Sequence, residues 1–416
     1  MNDLMDIYKQ QLFAFEDDVA AEAEAVSTDL WNHPELSEEE FRSAALLMEK
    51  AREHGFEVTE QYAGIPTAFL ASYGDAEGPT AAFLAEYDAL PGYGEMSPDG
   101  SGSAHACGHN WIAASTFAAA CALKEFIRAR KKEDPSFRGR VLLIGTPAEE
   151  TYGGKIKMAD AGAFDGIDAA FQCHLWNGTQ HCVRNCALAT TDITYTFHGK
   201  KSHASLHPEN GINALDALTL MYNGVSMLRQ HVLSDVRIHG IVKEGGTACN
   251  VVPERTQAMY YVRSAHLDYL EEVIERVNNC ARGAALQTGC TVDIDRDPYT
   301  FADLRNTEPL LECVKDNMKR WFGLGDEDFR EDSIYHAAST DIGNVSYHAP
   351  TFYGEIGMGA VTDAAPHDIE FLKYTDSDYA RKMLHFAAKS MGAAAVEVLC
   401  DAGFRAEMWE AFRKLG

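Results

Sequence analysis

Apolar residues recur every three to four positions in several long segments, which is the spacing of an amphipathic helix. Such segments cover residues 4–31, 37–55 and 110–131. Ser37 and Glu40, three positions apart at the start of the second segment, predict a capping box for that helix. The first part of the chain is therefore expected to contain three helices.

Short runs that are almost wholly apolar lie between these helices and predict buried strands. The runs are IPTAFLASY, PTAAFLAEY, GRVLLIG and IDAAFQCHLW. Strands that alternate with helices favour an α/β sheet, in which functional groups gather at the carboxyl ends of the strands. Glu149, Glu150 and His174 stand at such ends.

The pattern changes after about Ala187, where a strand of alternating polarity, a helix, a second strand and a second helix predict a small α+β unit. From about residue 300 the earlier pattern returns, with a helix, a glycine-rich segment PTFYGEIGMGA and a long terminal helix. The middle block is therefore expected to be an insertion in a larger domain. The predicted boundaries are 1–187 and 300–416 for the two parts of the larger domain, and 188–299 for the inserted domain.

Charge narrows the function classes, because 36 Lys and Arg residues against 63 Asp and Glu residues give a net charge of −27. Such a chain is repelled by phosphate backbones and anionic membranes, so neither a nucleic-acid nor a membrane partner is expected. The N-terminal segment lacks the basic and apolar regions of a secretory signal. Ten cysteines without a paired framework are typical of a reducing cytoplasm, which is the expected location.

The densest group of candidate residues is His-Ala-Cys-Gly-His-Asn, at the start of a predicted helix. Cys107 and His109 are two positions apart and can point the same way, and the helix N-terminus is expected to lower the pKa of the thiol. A thiolate beside an imidazole is a good pair of ligands for a transition metal. Taken alone, the same residues are equally compatible with a buried cysteine and a solvated histidine.

Glu149 and Glu150 form a carboxylate pair at a strand exit. In an extended segment the two side chains face opposite ways, so one carboxylate could bind a metal while the other acts as a general base. Most such pairs are surface charge, and a histidine such as His174 at a strand end is most often a packing residue. Together, however, thiolate, imidazoles and paired carboxylates are what a one- or two-metal hydrolytic site requires.

Nine short motifs occur in order along nearly the whole chain: AEYDALPG, AHACGHN, GTPAEE, CHLWN, GKKSHAS, GINALDAL, NVVPE, STDIGNVS and APH. In order and spacing they resemble the M20 family of metallopeptidases and amidohydrolases. The similar branch contains aminoacylases and hippurate, auxin-conjugate and aminobenzoyl-glutamate hydrolases. The resemblance implies a zinc-peptidase-like α/β catalytic domain with an inserted α+β lid domain that forms a homodimer.

The resemblance also implies two divalent metal ions per subunit, with zinc or manganese expected first and cobalt or nickel as alternatives. The positions that match metal ligands are Cys107, His109, Glu150, His174 and His367. Glu149 matches the general base, and Asp88 matches the acid that orients a metal ligand. His203 matches the lid histidine that contacts the substrate in the partner subunit's site, and Asn250 matches a polar lid residue near the substrate.

Two positions depart from the family pattern. Glu86 stands two residues before Asp88, where better-known members have a histidine ligand, so Cys107 is expected to complete the site. Asn110 follows the Cys-Gly-His motif where many relatives have aspartate, which favours the aminobenzoyl-glutamate-like subset.

The resulting prediction is a hydrolase that cleaves the amide bond of a small N-acyl amino acid, an aryl-amide conjugate or a dipeptide. A metal-activated water would attack the carbonyl with Glu149 as general base. One alternative is a hydrolytic deaminase of an aromatic amine that uses the same site. Another is a catalytically inactive metal-binding scaffold dimer, against which the intact pair of Glu149 and Glu150 argues.

Overall fold

The computed structural model describes residues 2–334, 337–359 and 364–416. The helices in these residues are α1 (Asn2–Asn32), α2 (Phe41–Glu53), α3 (His109–Glu133), α4 (Gly154–Asp160), α5 (Ala214–Leu228), α6 (Leu267–Thr288), α7 (Glu308–Phe322), α8 (Ile342–Val345), α9 (Ile369–Leu372), α10 (Asp378–Cys400) and α11 (Ala402–Arg413). The strands are β1 (Glu57–Glu60), β2 (Phe69–Gly74), β3 (Thr80–Ala85), β4 (Leu90–Pro91), β5 (Ser103–Ala104), β6 (Arg140–Gly145), β7 (Ala169–Trp176), β8 (Ala189–His198), β9 (Ser202–His203), β10 (Arg237–Glu244), β11 (Val251–Val252), β12 (Arg255–Ser264), β13 (Thr291–Arg296) and β14 (Thr351–Gly357).

The chain divides into two compact units. The first unit comprises Met1–Asn185, Arg305–Asp332 and Asn344–Gly416, and the second comprises Cys186–Leu304 and Ser333–Gly343. The mixture of helices and a mixed central sheet confirms the predicted α/β class. The domain boundaries drawn from the sequence, and the roles of lid and catalytic domain, stay predictions.

The first unit is built on a six-stranded sheet in the order β1-β2-β6-β3-β7-β14. Strands β6, β3, β7 and β14 are parallel, with Phe83 of β3 opposite both Leu143 of β6 and Phe171 of β7. The carboxyl ends of these four strands therefore meet at one edge of the sheet. This edge is where the chain places Glu86, Glu149 and His174.

Helices α3 and α10 pack against this sheet, and α1 packs on both of them. Helix α3 is buried along most of its length, because its many alanines allow close approach and Trp111, Phe117 and Phe126 fill the remaining space. Helix α10 is long and apolar enough to cross a membrane, but 78 % of its most apolar window is buried inside the protein. It is therefore the core helix that its packing against α1 and α3 indicates.

The second unit has an antiparallel sheet in the order β10-β12-β8-β13, packed against α5 and α6. The apolar residues of the pattern predicted for β8, Ile193, Tyr195 and Phe197, are all buried, while Thr194 between them is partly exposed and Thr196 is buried as well. Asn213 caps α5 by accepting a hydrogen bond from the backbone N–H of Leu215. The predicted strand and helix types of this block are thus confirmed.

The glycine-rich segment PTFYGEIGMGA contains a fully buried strand, β14, and its last residue, Ala360, lies outside the described residues. One local prediction, the capping box of α2, is wrong. The capping box at Ser37 and Glu40 is absent, because α2 begins at Phe41 and no side chain caps it. Both polar side chains are used elsewhere in the first unit.

Candidate metal centre

The carboxyl edge of the six-stranded sheet gathers every donor that the sequence assigned to the first unit. Three groups of donor atoms that lie wholly in the first unit have all their members within 4.8 Å of one another. The groups are Cys107 with His109 and His174, Cys107 with Glu150 and His367, and His109 with Glu149 and Glu150. The five predicted ligands and the predicted base therefore lie together in space, although they are spread over 261 positions of the sequence (107 to 367).

His109 is hydrogen-bonded to Asp88. Its Nδ1 atom donates a hydrogen bond of 2.8 Å to Oδ1 of Asp88, and both side chains are buried. Burial opposes the charge on Asp88, but His109 and hydrogen bonds from Ser37 and the backbone of Glu150 lower the pKa of Asp88 to about 2. A carboxylate that fixes Nδ1–H leaves Nε2 as the ligand atom.

Burial also opposes a proton on His109, but Cys107, Asp88 and Glu86 outweigh it and raise the pKa of His109 well above its usual value. His174 has no comparable anionic support. Burial and the neighbouring His109 lower the pKa of His174 to about 4, and its Nδ1 lies 2.7 Å from the carbonyl oxygen of Leu175. His174 is therefore neutral and presents Nε2 to the site, 3.4 Å from the sulfur of Cys107.

The pKa of the Cys107 thiol is shifted in the direction opposite to the one predicted from the sequence. Burial and the nearby Glu150 raise its pKa well above the usual value, although it sits just before the N-terminus of α3. The helix terminus is outweighed because the thiol is desolvated and faces carboxylates. A divalent cation in contact with sulfur acts in the opposite direction and favours the thiolate.

Glu149 and Glu150 do not continue the strand, so the expectation that they face opposite ways is wrong. Ala148, just before them, has a left-handed backbone with φ of 60°, and the two glutamates form a turn. The turn places both carboxylates within reach of His109. The backbone N–H of Glu150 donates to Oδ2 of Asp88 at 3.0 Å, which ties the turn to the end of β3.

His367 reaches the site from a loop after β14, and its backbone is also left-handed, with φ of 78°. Two hydrogen bonds hold this conformation: its N–H donates to the carbonyl of Ala106 at 2.9 Å, and the hydroxyl of Tyr93 donates to its carbonyl at 2.6 Å. The ring then lies with Nε2 3.2 Å from Oε1 of Glu150.

Glu86, which stands in place of a family histidine, is buried and accepts hydrogen bonds from Lys155 and Gln172. Burial opposes its charge, but Lys155 and His109 lower its pKa below the usual value. Glu86 is thus an ionised carboxylate bound to Lys155, with its other oxygen 3.4 Å from Nε2 of His109. The sequence did not indicate Lys155, which lies 69 positions away.

The donors fit divalent metal ions. Oε1 of Glu150 is buried without a hydrogen-bond donor among the described residues, although two imidazoles lie near it. An unsatisfied carboxylate oxygen between histidine rings and a thiol is the environment that a cation stabilises. Cysteine, histidine and carboxylate together suit zinc and its first-row neighbours.

Asn110, the second departure from the family pattern, lies in the core. It is fully buried, and its amide donates to Oγ of Ser27 at 3.0 Å and to the carbonyl of Thr375 at 3.3 Å. These contacts assign it to packing between α1, α3 and the loop before α10.

His203 and Asn250 belong to the second unit, where they are neighbours. Val251 pairs with His203 in a two-stranded sheet, and the N–H of Ala204 donates to the carbonyl of Asn250 at 3.0 Å. Nδ1 of His203 accepts the N–H of Leu206 at 3.1 Å, so a neutral ring carries its proton on Nε2. Both side chains are exposed.

A mixed α/β unit with such donors at its strand ends defines a metallohydrolase-type site. Residues 82–390 match Peptidase family M20/M25/M40. The mouse Xaa-Arg dipeptidase is 34 % identical over 96 % of this chain and 89 % of its own length. One of the subunits of the p-aminobenzoyl-glutamate hydrolase of Escherichia coli (strain K12) is 29 % identical over 96 % of this chain and 94 % of its own length.

Among solved structures, a dinuclear metal binding peptidase of the M20 family from Bacillus subtilis is similar with a TM-score of 0.67. That match has 22 % identity and covers 92 % of this chain and 99 % of the other. The chain belongs to the M20 peptidase family, as its motifs indicated, and it is a hydrolase that acts on amide bonds.

Proposed function

We propose that the first unit hydrolyses the amide bond of a small peptide-like substrate at a centre of two divalent metal ions. Cys107, His109, Glu150, His174 and His367 would hold the ions. The observation that carries this proposal is the convergence of these donors around a buried Glu150 oxygen that lacks a hydrogen-bond donor in the described part of the chain.

When bound, such ions supply Lewis acidity that activates water and polarises the amide carbonyl. Glu149 then acts as the general base that removes a proton from the attacking water and returns it to the leaving amine. Asp88 keeps the imidazole of His109 in the tautomer that leaves Nε2 available. Zinc or manganese suits this donor set, with cobalt or nickel as alternatives.

Glu149→Gln tests the assignment of the base. The amide keeps the size of the side chain but cannot accept the proton, so turnover falls by about 10²- to 10⁴-fold while the metal content stays unchanged. Metal content is measured by elemental analysis of the dialysed protein. A variant with full turnover and full metal content would remove Glu149 from this role.

For the substrate we propose a dipeptide with a basic C-terminal residue. A cavity of about 790 Å³ opens beside His367, and its lining includes Tyr93, Asp368 and Glu370. The two carboxylates and the net charge of −27 favour a cationic side chain. The name of the mouse relative, an Xaa-Arg dipeptidase, supports the same substrate class.

A substrate panel tests this choice: alanyl-arginine, alanyl-alanine, N-acetyl-alanine and aminobenzoyl-glutamate. We expect the highest kcat/KM for alanyl-arginine, and Glu370→Gln should lower that value several-fold without changing the value for alanyl-alanine. Glu410→Gln is the matched control. Glu410 pairs with Lys414 as Glu370 pairs with Lys373, but Glu410 is not among the residues that line the cavity. A preference for aminobenzoyl-glutamate would instead favour the activity that the name of the Escherichia coli relative states.

We further propose a homodimer formed through the second unit, with His203 and Asn250 of one subunit contacting the substrate of the other. Strand β10 is an edge of its sheet, and it exposes Ile241 and Val242 by 63 % and 48 %. Apolar side chains on an exposed edge strand favour pairing with a second copy. The Nε2–H of His203 would donate to the substrate carbonyl or carboxylate.

Mixing two inactive variants tests this arrangement. In a dimer of one Glu149→Gln and one His203→Ala subunit, only the second subunit keeps its base, and it would receive the intact His203 from the first. Random mixing should therefore restore about a quarter of wild-type activity. If the mixture stays inactive although light scattering shows a dimer, the proposed contact of His203 with the partner subunit's substrate is contradicted.

We place the protein in the cytoplasm. No disulfide joins any of the ten cysteines in the described part of the chain, which suits a reducing compartment. Labelling of denatured protein from freshly lysed cells should find ten reactive thiols.

A further inference from the structure

The side chain of Glu40 is fully buried, which is uncommon for a carboxyl group. It lies at the start of α2 but forms no capping hydrogen bond there. Instead its two oxygens accept hydrogen bonds from distant residues: Oε1 from the backbone N–H of Ala148 at 2.9 Å, and Oε2 from the hydroxyl of Thr67 at 3.0 Å. The partner of Oε1 directly precedes the two site glutamates.

Ala148 is held from both of its backbone groups. Its N–H is bound by Glu40, and its carbonyl accepts from the N–H groups of Gly153 and Gly154 at 3.0 and 3.2 Å. Its left-handed conformation is costly for a residue with a Cβ atom, so the surrounding contacts must enforce it. The segment between these anchors is a closed loop that begins with Glu149.

The chain after Ala148 has little freedom to relax. A Cβ atom on Gly154 would lie 1.9 Å from the carbonyl oxygen of Pro147, so the two ends of the loop are in close backbone contact. Glu150 is fixed separately, because its N–H donates to Asp88. The backbone at Ala148 therefore sets the direction in which the Glu149 side chain leaves the main chain.

We infer that Glu40 is a positioning residue that aims the Glu149 carboxylate by fixing the left-handed backbone of Ala148. Glu40 reaches neither the ligand donors nor the cavity beside His367 among the described residues. It acts through one main-chain hydrogen bond across 108 positions of sequence. This inference rests on the proposed role of Glu149 as general base.

The test compares Glu40→Gln, which keeps an acceptor oxygen, with Glu40→Leu, which removes it at similar size. For alanyl-arginine, Glu40→Leu should lower kcat by about 10- to 100-fold, because a displaced catalytic group loses its alignment. KM should stay within about threefold of wild type. The metal content should stay unchanged, because the ligands keep their own anchors. Glu40→Gln should keep kcat within about threefold of wild type.

Hydrogen exchange supplies a readout that does not depend on turnover. Peptides that cover residues 147–154 should exchange faster in Glu40→Leu than in Glu40→Gln, while peptides of α3 stay protected. If Glu40→Leu does not fold, Glu40→Asp replaces it. The shorter side chain no longer reaches the Ala148 N–H, so kcat should fall several-fold.

The matched control is Glu16→Leu, which removes another buried carboxylate of the first unit. Glu16 bonds His385 and lies 3.3 Å from Lys389, away from the loop, so its loss should lower thermal stability and leave kcat unchanged. A wild-type kcat in Glu40→Leu, an equal loss in Glu40→Gln, or an equal loss in Glu16→Leu would overturn the inference. Glu149→Gln, measured in parallel, separates the two proposals: if it stays active, the base assignment fails irrespective of Glu40.

Discussion

The hydroxyl group of Tyr93 donates a hydrogen bond of 2.6 Å to the carbonyl oxygen of His367, 274 positions later in the chain. The bond stabilises a backbone conformation that a histidine rarely adopts. The exposed imidazole of His367 meets Glu150 because its main chain is fixed in this way. Tyr93 thus connects the cavity to the metal centre.

Removal of this hydroxyl should weaken metal binding. In Tyr93→Phe the loop of His367 loses one of its two anchors, and we expect the weaker of the two metal-binding steps to lose about 10-fold in affinity. Calorimetric titration of the metal-free protein measures it. Tyr62→Phe is the control, since Tyr62 also bonds a backbone carbonyl, that of Ala163. Equal affinities in wild type and Tyr93→Phe would contradict this prediction.

Asp88→Asn should also weaken metal binding, through His109 rather than through His367. The amide can present its NH₂ group to Nδ1 of His109, which favours the tautomer with the proton on Nε2, the atom needed for metal. We expect a loss of about 10- to 100-fold in metal affinity, with the fold retained by circular dichroism. Ser37→Ala, which removes only a hydrogen bond to Asp88, should have a much smaller effect.

Cys107→Ser should lower the metal content of the purified protein. Oxygen replaces sulfur at similar size, and a serine hydroxyl is a poor ligand for the metals that bind thiolate. In protein loaded with cobalt, the near-ultraviolet absorption band of a thiolate–cobalt bond should be present in wild type and absent in Cys107→Ser. An unchanged band would exclude Cys107 as a ligand.

Glu40→Gln should change how stability depends on pH. Burial and the nearby Asp88 raise the pKa of Glu40 to about 7, from an ordinary value of 4.5. Between these values the folded protein holds a proton that the unfolded chain has lost, so this group makes the wild type less stable as pH rises. Glutamine cannot lose a proton and does not contribute this loss.

The free energy of unfolding of Glu40→Gln, relative to that of wild type, should therefore rise by about 3 kcal/mol between pH 4.5 and pH 8. Urea unfolding of metal-free protein at both pH values measures it, since bound metal would add its own linkage. The same difference at both pH values would contradict the raised pKa.

The strand ends and donor types of the site could be predicted from the sequence because both are local. A buried apolar run that is followed by Glu149 and Glu150 indicates where a strand leaves the sheet. Cys107 and His109 stand at the start of a helix that the apolar periodicity predicts. The assignment of His367 came from the family resemblance alone. Its loop has no periodic pattern, and its partners lie more than two hundred positions earlier.

The errors share one cause, which is competition from distant partners. Ser37 and Glu40 have the spacing of a capping box, yet Asp88 and Ala148 bind their side chains instead. Glu149 and Glu150 were expected to alternate as in a strand, but a left-handed Ala148 turns the chain. The pKa of Cys107 is likewise set by burial and by Glu150, which helix position alone does not reveal.

The position of β14 has a consequence for biosynthesis. This strand pairs with β7, from which it is separated by more than 170 positions, and it forms an edge of the central sheet. A nascent chain that has left the ribosome as far as residue 304 already contains most of the second unit but neither β14 nor His367. If His367 is a ligand as proposed, the metal centre cannot be complete before residue 367 has left the ribosome, whereas the second unit has the chain it needs for most of its fold earlier.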